Sequence, residues 1–121
     1  MIDHLGLAVR DVAASRAFYE KALAPLGYSV VRDYGSAAVG FGAGSKPDFW
    51  LGQGTPAVGL HVALVARDRA AVAAFHAAAL AAGGRDNGPP GVRAHYHPDY
   101  YGAFVWDPDG YNIEAVCHAP G

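Results

Sequence analysis

Residues His95 to His118, HYHPDYYGAFVWDPDGYNIEAVCH, hold three histidines, three aspartates, one glutamate and four tyrosines. Imidazoles and carboxylates at this density are the groups that bind divalent cations or move protons, and phenols donate hydrogen bonds to bound oxygens. His4 and His61 add two more imidazoles, 57 positions apart. Two imidazoles and a carboxylate such as Glu114, brought to one cavity, form the ligand set of a divalent metal with open positions, suited to Fe(II), Mn(II), Ni(II) or Zn(II). The structural alternative is that each histidine hydrogen-bonds its strand neighbours and Glu114 pairs with an arginine such as Arg93.

What must position these groups is visible in an internal repeat. Shifted by 57 residues, HLGLAVRDVAASRAFYEKALAPLG (His4 to Gly27) lies over HVALVARDRAAVAAFHAAALAAGG (His61 to Gly84) without a gap, and 12 of the 24 pairs are identical. Alanine inflates that count, but the paired histidines, Arg-Asp dipeptides, phenylalanines and closing glycines do not depend on it, so a duplicated module is the simplest account. In each copy a strand with period-two alternation leads to an aspartate, Asp11 or Asp68, placed to cap a helix. Phe18, Ala22 and Leu23, and their counterparts Phe75, Ala79 and Leu80, keep helical spacing on one face. Gly27 and the pair Gly83 and Gly84 end the helices. Three short strands follow each helix, at 28–33, 37–41 and 48–51 in the first copy. In the second copy GRDNGPPG (Gly84 to Gly91) reads as a loop, followed by an edge segment at 92–97 and strands at 101–106 and 112–117. The DPDG between the last two is hairpin chemistry. The expected class is α+β, with tandem βαβββ modules (about 1–55 and 56–121) forming one domain whose curved mixed sheet encloses a central cleft.

Alternation decides which side chains face that cleft. Leu5, Leu7 and Val9 belong against the helix, so His4, Gly6 and Ala8 face the other way, and the small residues leave volume that a ligand pocket needs. In the last strand Ile113, Ala115 and Cys117 form the apolar set, which puts Glu114 on the side of the histidines.

At this point the chain resembles the vicinal oxygen chelate superfamily, which includes glyoxalase I, bleomycin-resistance proteins, fosfomycin thiol transferases and extradiol dioxygenases. IDHLGLAVRDVAASRAFYEKALAPLGY is similar to its opening strand and helix, FVWDPDGYNIEAV to its closing hairpin, and the duplicated pattern extends the resemblance over essentially the whole chain. The resemblance implies a small-molecule substrate, frequently a homodimer and, in metal-dependent members, a cation that chelates adjacent substrate oxygens. Carried over by position, it makes His4, His61 and Glu114 the metal ligands. The further ligand that glyoxalase I takes from its fourth strand falls in DFWLG, on Phe49 or Trp50, neither of which binds a hard cation; Asp48 is the nearest carboxylate. The departure weakens an isomerase reading more than a metal reading.

In HYHPDYY, His95, His97, Tyr100 and Tyr101 are expected at the rim of the cup, with His97 and Tyr100 as candidate acid or base groups. His95, Tyr101 and Trp50 are expected to line the substrate site, although aromatic residues also fill strands without any function. A separate zinc site of His95, His97 and Asp99 is disfavoured because Pro98 ends the run and no fourth ligand is suitably spaced.

The bulk numbers fit a single globular domain: 121 residues, 52% hydrophobic and 17% charged, with nine basic against eleven acidic side chains. No basic face invites nucleic acid, and no apolar run approaches the roughly 20 residues that cross a bilayer. Cys117 is the only cysteine, which fits a reducing compartment, and the opening MIDHLGLAV is no secretory signal, so the expected location is cytoplasmic. Two functions fit: a divalent-metal enzyme acting on a small oxygenated or thiol-conjugated molecule (lyase, isomerase, transferase or dioxygenase), or a metal-free small-molecule binding or sequestration protein of the bleomycin-resistance type.

Overall fold

The computed structural model of the chain describes residues 1–121. Each module is a strand, a helix and three strands: β1 (Leu5–Val9), α1 (Val12–Ala22), a 3-10 turn (Ala24–Leu26), β2 (Ser29–Asp33), β3 (Ala38–Gly42) and β4 (Phe49–Gln53), then β5 (His61–Val65), α2 (Arg69–Ala81), β6 (Arg85–Val92), β7 (Tyr101–Trp106) and β8 (Asn112–Cys117). The strands divide equally into two mixed sheets, ordered β1-β4-β3-β2 and β5-β8-β7-β6, with β1 parallel to β4 and β5 parallel to β8.

Both helices start where a carboxylate can take up free amides. Asp11 accepts from the Ala14 N–H at 3.2 Å and Asp68 from the Ala71 N–H at 2.8 Å. Beyond α1, Pro25 sets the 3-10 turn and Gly27, at φ 82°, releases the chain into β2. The helices pack on each other and on the inner faces of the sheets, where one continuous core takes Leu7, Val9, Phe18, Phe41 and Phe49 from the first module and Val72, Phe75, Val105, Ile113 and Ala115 from the second. Gly84 has no side chain because Phe18 of α1 lies against it, and a Cβ there would stand 2.8 Å from the Phe18 ring.

The DPDG turn has a second role. Asp109 accepts from the Arg10 N–H and guanidinium, both at 3.1 Å, and from the Ser15 hydroxyl at 3.2 Å. Buried Asp107 accepts from the Tyr19 hydroxyl, and Tyr111 donates to the Ala8 carbonyl at 2.6 Å. The hairpin of the second module therefore latches onto β1 and α1 of the first.

One element differs from the sequence expectation. GRDNGPPG does not form a loop before an edge strand at 92–97; β6 itself runs through Arg85–Val92, and residues 93 to 100 make turns that carry His95, Tyr96 and His97. Pro89 and Pro90 are tolerated because β6 is an edge strand, and its register slips between Asp86 and Gly88 and again between Gly88 and Gly91.

Candidate functional site

Strand alternation places the groups as expected on β1, β5 and β8. Leu7, Val9 and Val62 are buried, whereas His4, Gly6, His61 and Ala63 are exposed on the opposite side. Cross-strand pairing then sets out rows on the outer face of the second sheet. One runs Ala63, Glu114, Phe104, Gly88 across β5, β8, β7 and β6; the next runs Val65, Val116, Gly102, Gly91.

Glu114 is the centre of this face and is almost wholly buried, with a side chain 2% exposed. Its Oε1 stands 3.0 Å from His61 Nε2, and its Oε2 accepts from the Tyr100 hydroxyl. Gly102 makes room for the pair, since a Cβ there would lie 3.0 Å from Glu114 Oε2 and 3.2 Å from the Tyr100 ring. Burial, and next the hydrogen bond to Glu114, push the Tyr100 phenol well above its ordinary pKa of 10. Phe104 packs against His61, their rings 6.0 Å apart at 27°.

His61 sits between two acceptors. Its Nδ1 lies 3.0 Å from the Asn112 carbonyl and its Nε2 3.0 Å from the Glu114 carboxylate, so both ring nitrogens face acceptors. A neutral imidazole has one N–H and can satisfy only one of them. With its one N–H on the Asn112 carbonyl, the ring leaves Nε2 facing Oε1 lone pair to lone pair unless a second proton or a cation stands between them. His61 Nε2 and Glu114 Oε1 are the atoms on this face that would hold a divalent cation, which would supply Lewis acidity there. The Nδ1–H donating to a carbonyl is the outer bond that usually fixes a ligating imidazole with Nε2 forward.

His4 does not join this pair within one chain. Its Nδ1 lies 2.7 Å from the Asp3 carboxylate, and no group of three or more His, Cys, Asp or Glu side chains is close enough to hold a metal. His4 and His61 both line a cavity of about 370 Å³ between the starts of β1 and β5, with Tyr28, Asp48 and Phe49. On the first sheet Gly6 pairs with Trp50, just as Ala63 pairs with Glu114, which makes Trp50 the repeat counterpart of Glu114. Its indole covers Gly40 and stacks on Tyr34, with ring centroids 6.0 Å apart and planes 4° from parallel. Beside it Gly6 and Gly52 face open space.

The rim residues separate. His97 accepts the Asp99 N–H on Nδ1 at 3.1 Å, so its Nε2 carries the proton and donates to His118 Nδ1 at 2.8 Å. These two rings stand edge-on to Tyr100, at 5.5 and 5.3 Å, but neither hydrogen-bonds to Glu114. His95 lies against Tyr96 and not beside His97 in a strand. Tyr101 points away from this face: it pairs with Cys117, packs on the core, and lies under the Arg69 guanidinium at 5.0 Å, because alternation in β7 turns Gly102 and Phe104 outward instead. Phe104 was readable from that same alternation but stood in an apolar run, GAFVW, where nothing marked it. Arg93 does not pair with Glu114; it donates to the carbonyls of Pro89 and Gly91.

The comparisons with known proteins agree with this architecture. The family model of the Glyoxalase/Bleomycin resistance protein/Dioxygenase superfamily matches residues 1–115. Among solved structures, a glyoxalase/bleomycin resistance protein from Albidiferax ferrireducens T118 is 29% identical with TM-score 0.81, covering 98% of both chains. A Bacillus cereus protein described as a possible glyoxalase is 25% identical with TM-score 0.69, covering 97% of this chain and 98% of its own. A lactoylglutathione lyase from Agrobacterium tumefaciens, 21% identical with TM-score 0.70 over 96% of this chain and 92% of its own, shares the fold. The comparison with curated proteins found no match. With the family model spanning nearly all of the duplicated βαβββ chain, the protein belongs to the Glyoxalase/Bleomycin resistance protein/Dioxygenase superfamily.

Proposed function

We propose that this protein is a divalent-metal-dependent enzyme acting on a small oxygenated or thiol-conjugated molecule, with His61 and Glu114 as two ligands of the cation and His4 as the third. The observation that carries the reading is the placement of His61 beside buried Glu114, with both ring nitrogens facing acceptors. One chain joins only two of the three ligands, and the outer faces of both sheets carry exposed small residues on their first strands, so the third ligand comes from a second copy in a homodimer. The cation supplies Lewis acidity toward two neighbouring oxygens of the substrate. Glu114 balances charge and, through Oε2, holds the Tyr100 proton; Asn112 fixes the His61 tautomer; Phe104 excludes water from one side of the imidazole. His97 takes a positioning role, buttressing the edge of the Tyr100 ring.

Elemental analysis after reconstitution tests this, together with a mixing experiment. His4→Ala and Glu114→Ala homodimers each lack one ligand in both sites, whereas exchange into heterodimers restores one complete site. The expected result is recovery of about half of the wild-type metal in the heterodimer fraction, itself half of a fully exchanged mixture. Absence of stoichiometric metal from the reconstituted wild type would transfer the protein to the second reading, a metal-free binding protein, which the Tyr34–Trp50 aromatic plate in the place of a fourth ligand favours.

A further inference from the structure

Arg93 is a strong cation on the outer face of the second sheet that is held in place by backbone carbonyls and forms no ion pair. Its guanidinium folds back over β6, where the missing side chains of Gly88 and Gly91 form a bed: a Cβ at either would stand 3.1 Å from a guanidinium nitrogen. Two carbonyls fix its plane, Gly91 at 2.9 Å and Pro89 at 2.8 Å, and the group lies over the Phe104 ring at 5.4 Å from the centroid. Gly88 also makes room for the Phe104 ring, 3.0 Å from where its Cβ would stand, so the ring and the guanidinium share this bed. No carboxylate forms an ion pair with it; the nearby Asp86 gives its Oδ1 to His76 and to the Gly88 N–H. Two of five N–H donors are spent on carbonyls, which leaves an oriented fork of the kind that binds carboxylate or phosphate.

We propose that Arg93 is the anion-binding residue of the His61–Glu114 site, so that the substrate is a small molecule with a carboxylate or phosphate remote from its reacting oxygens. Resting on the reading above, this adds the substrate class. The rows on the sheet give the span: Glu114 lies on β8 and the Arg93 bed on β6, two strands away, which is about 10 Å. Phe104, between them, supports the apolar part of the molecule.

Octanedioic acid monohydroxamate carries a chelating head and a carboxylate at a matching distance, and its monoamide counterpart differs only in charge. On protein loaded with Zn(II), the acid is expected to bind about tenfold or more tightly than the amide, the usual worth of a charge-assisted hydrogen bond. Arg93→Met should abolish that preference, and Arg93→Lys should keep part of it. Octanoate against octanamide on metal-free protein repeats the test without the cation, so failure to load metal and failure of the arginine are read separately. Should Arg93→Met not fold, the intermediate preference of Arg93→Lys carries the test. Equal affinity for acid and amide overturns the proposal, as does an acid preference that survives Arg93→Met. Loss of the dimer in Arg93→Met with ligand preference unchanged overturns it too, assigning the guanidinium to a carboxylate of a second copy.

Discussion

Replacing Glu114 by glutamine should make the metal-free protein more stable while weakening its hold on a cation. The two side chains have the same shape, so in Glu114→Gln the side-chain carbonyl oxygen still accepts from Tyr100. The new amide nitrogen then faces His61 Nε2 as a donor, at the position where Glu114 Oε1 now stands 3.0 Å away as an acceptor. With Nδ1–H on the Asn112 carbonyl, every group in the chain Asn112, His61, the substituted side chain and Tyr100 is satisfied without an extra proton. A buried acceptor left facing an acceptor costs about 1–3 kcal/mol, and a neutral hydrogen bond contributes about 1 kcal/mol. Discounted for the 44% exposure of the His61 side chain, the gain is about 1–2 kcal/mol. For a domain of this length that is about 4–8 °C in Tm, measured by thermal unfolding in the presence of chelator. Titration calorimetry with Zn(II) or Mn(II) should show the opposite sign: changes one shell out cost about 10–100-fold in affinity, so loss of the anionic ligand itself costs at least about a hundredfold. The opposing signs make the test discriminating. A metal-free Glu114→Gln protein that loses about 3–5 kcal/mol would mean that His61 is an imidazolium paired with a buried carboxylate, and would refute a lone-pair contact between Nε2 and Oε1.

Other consequences can be checked independently. Gly102→Ala puts a methyl group 3.0 Å from Glu114 Oε2 and 3.2 Å from the Tyr100 ring, and should cost about 1–3 kcal/mol in denaturant unfolding together with weaker metal binding. Gly84→Ala meets the Phe18 ring at 2.8 Å and the Ala79 carbonyl at 2.9 Å, and should destabilise by a similar amount while leaving metal affinity unchanged, because the strain lies on the helix side of the sheets. Burial and the Asp48 carboxylate push Tyr28 up to about 12 from its ordinary value of 10. A phenol whose folded pKa is raised stabilises the fold fully below pH 10, and that contribution is lost as pH rises from 10 to 12, so urea midpoints should fall across this window and fall less in Tyr28→Phe. In spectrophotometric titration Tyr100→Phe should remove one tyrosine from the class that ionises only above the ordinary range, which also contains Tyr19, held up mainly by burial.

Much of the fold was legible because it rests on short-range rules. The caps at Asp11 and Asp68, the stop at Gly27, and the faces of β1, β5 and β8 follow from side-chain chemistry and alternation, and the structure has them where those rules put them. What escaped was set by contacts that no local pattern carries. β6 hides in GRDNGPPG because an edge strand can take prolines and glycines that an inner strand would not, and its glycines answer to the Arg93 guanidinium and the Phe104 ring. The partner of His97 proved to be His118, 21 residues on, and not its neighbour His95, because the turn after β6 ends the alternation that would have aligned them.

The repeat also sets Trp50 of the first module in the position that Glu114 holds in the second. Gly6, Trp50, Gly40 and Arg32 run across the first sheet in the row that Ala63, Glu114, Phe104 and Gly88 occupy in the second. With Trp50 in place of the second carboxylate, one face brings charge and the other a flat apolar wall beside the open floor at Gly6 and Gly52. A buried carboxylate is costly unless paired, whereas an indole on a glycine floor is not, so Trp50 needs no partner at the centre of its sheet while Glu114 takes both His61 and Tyr100.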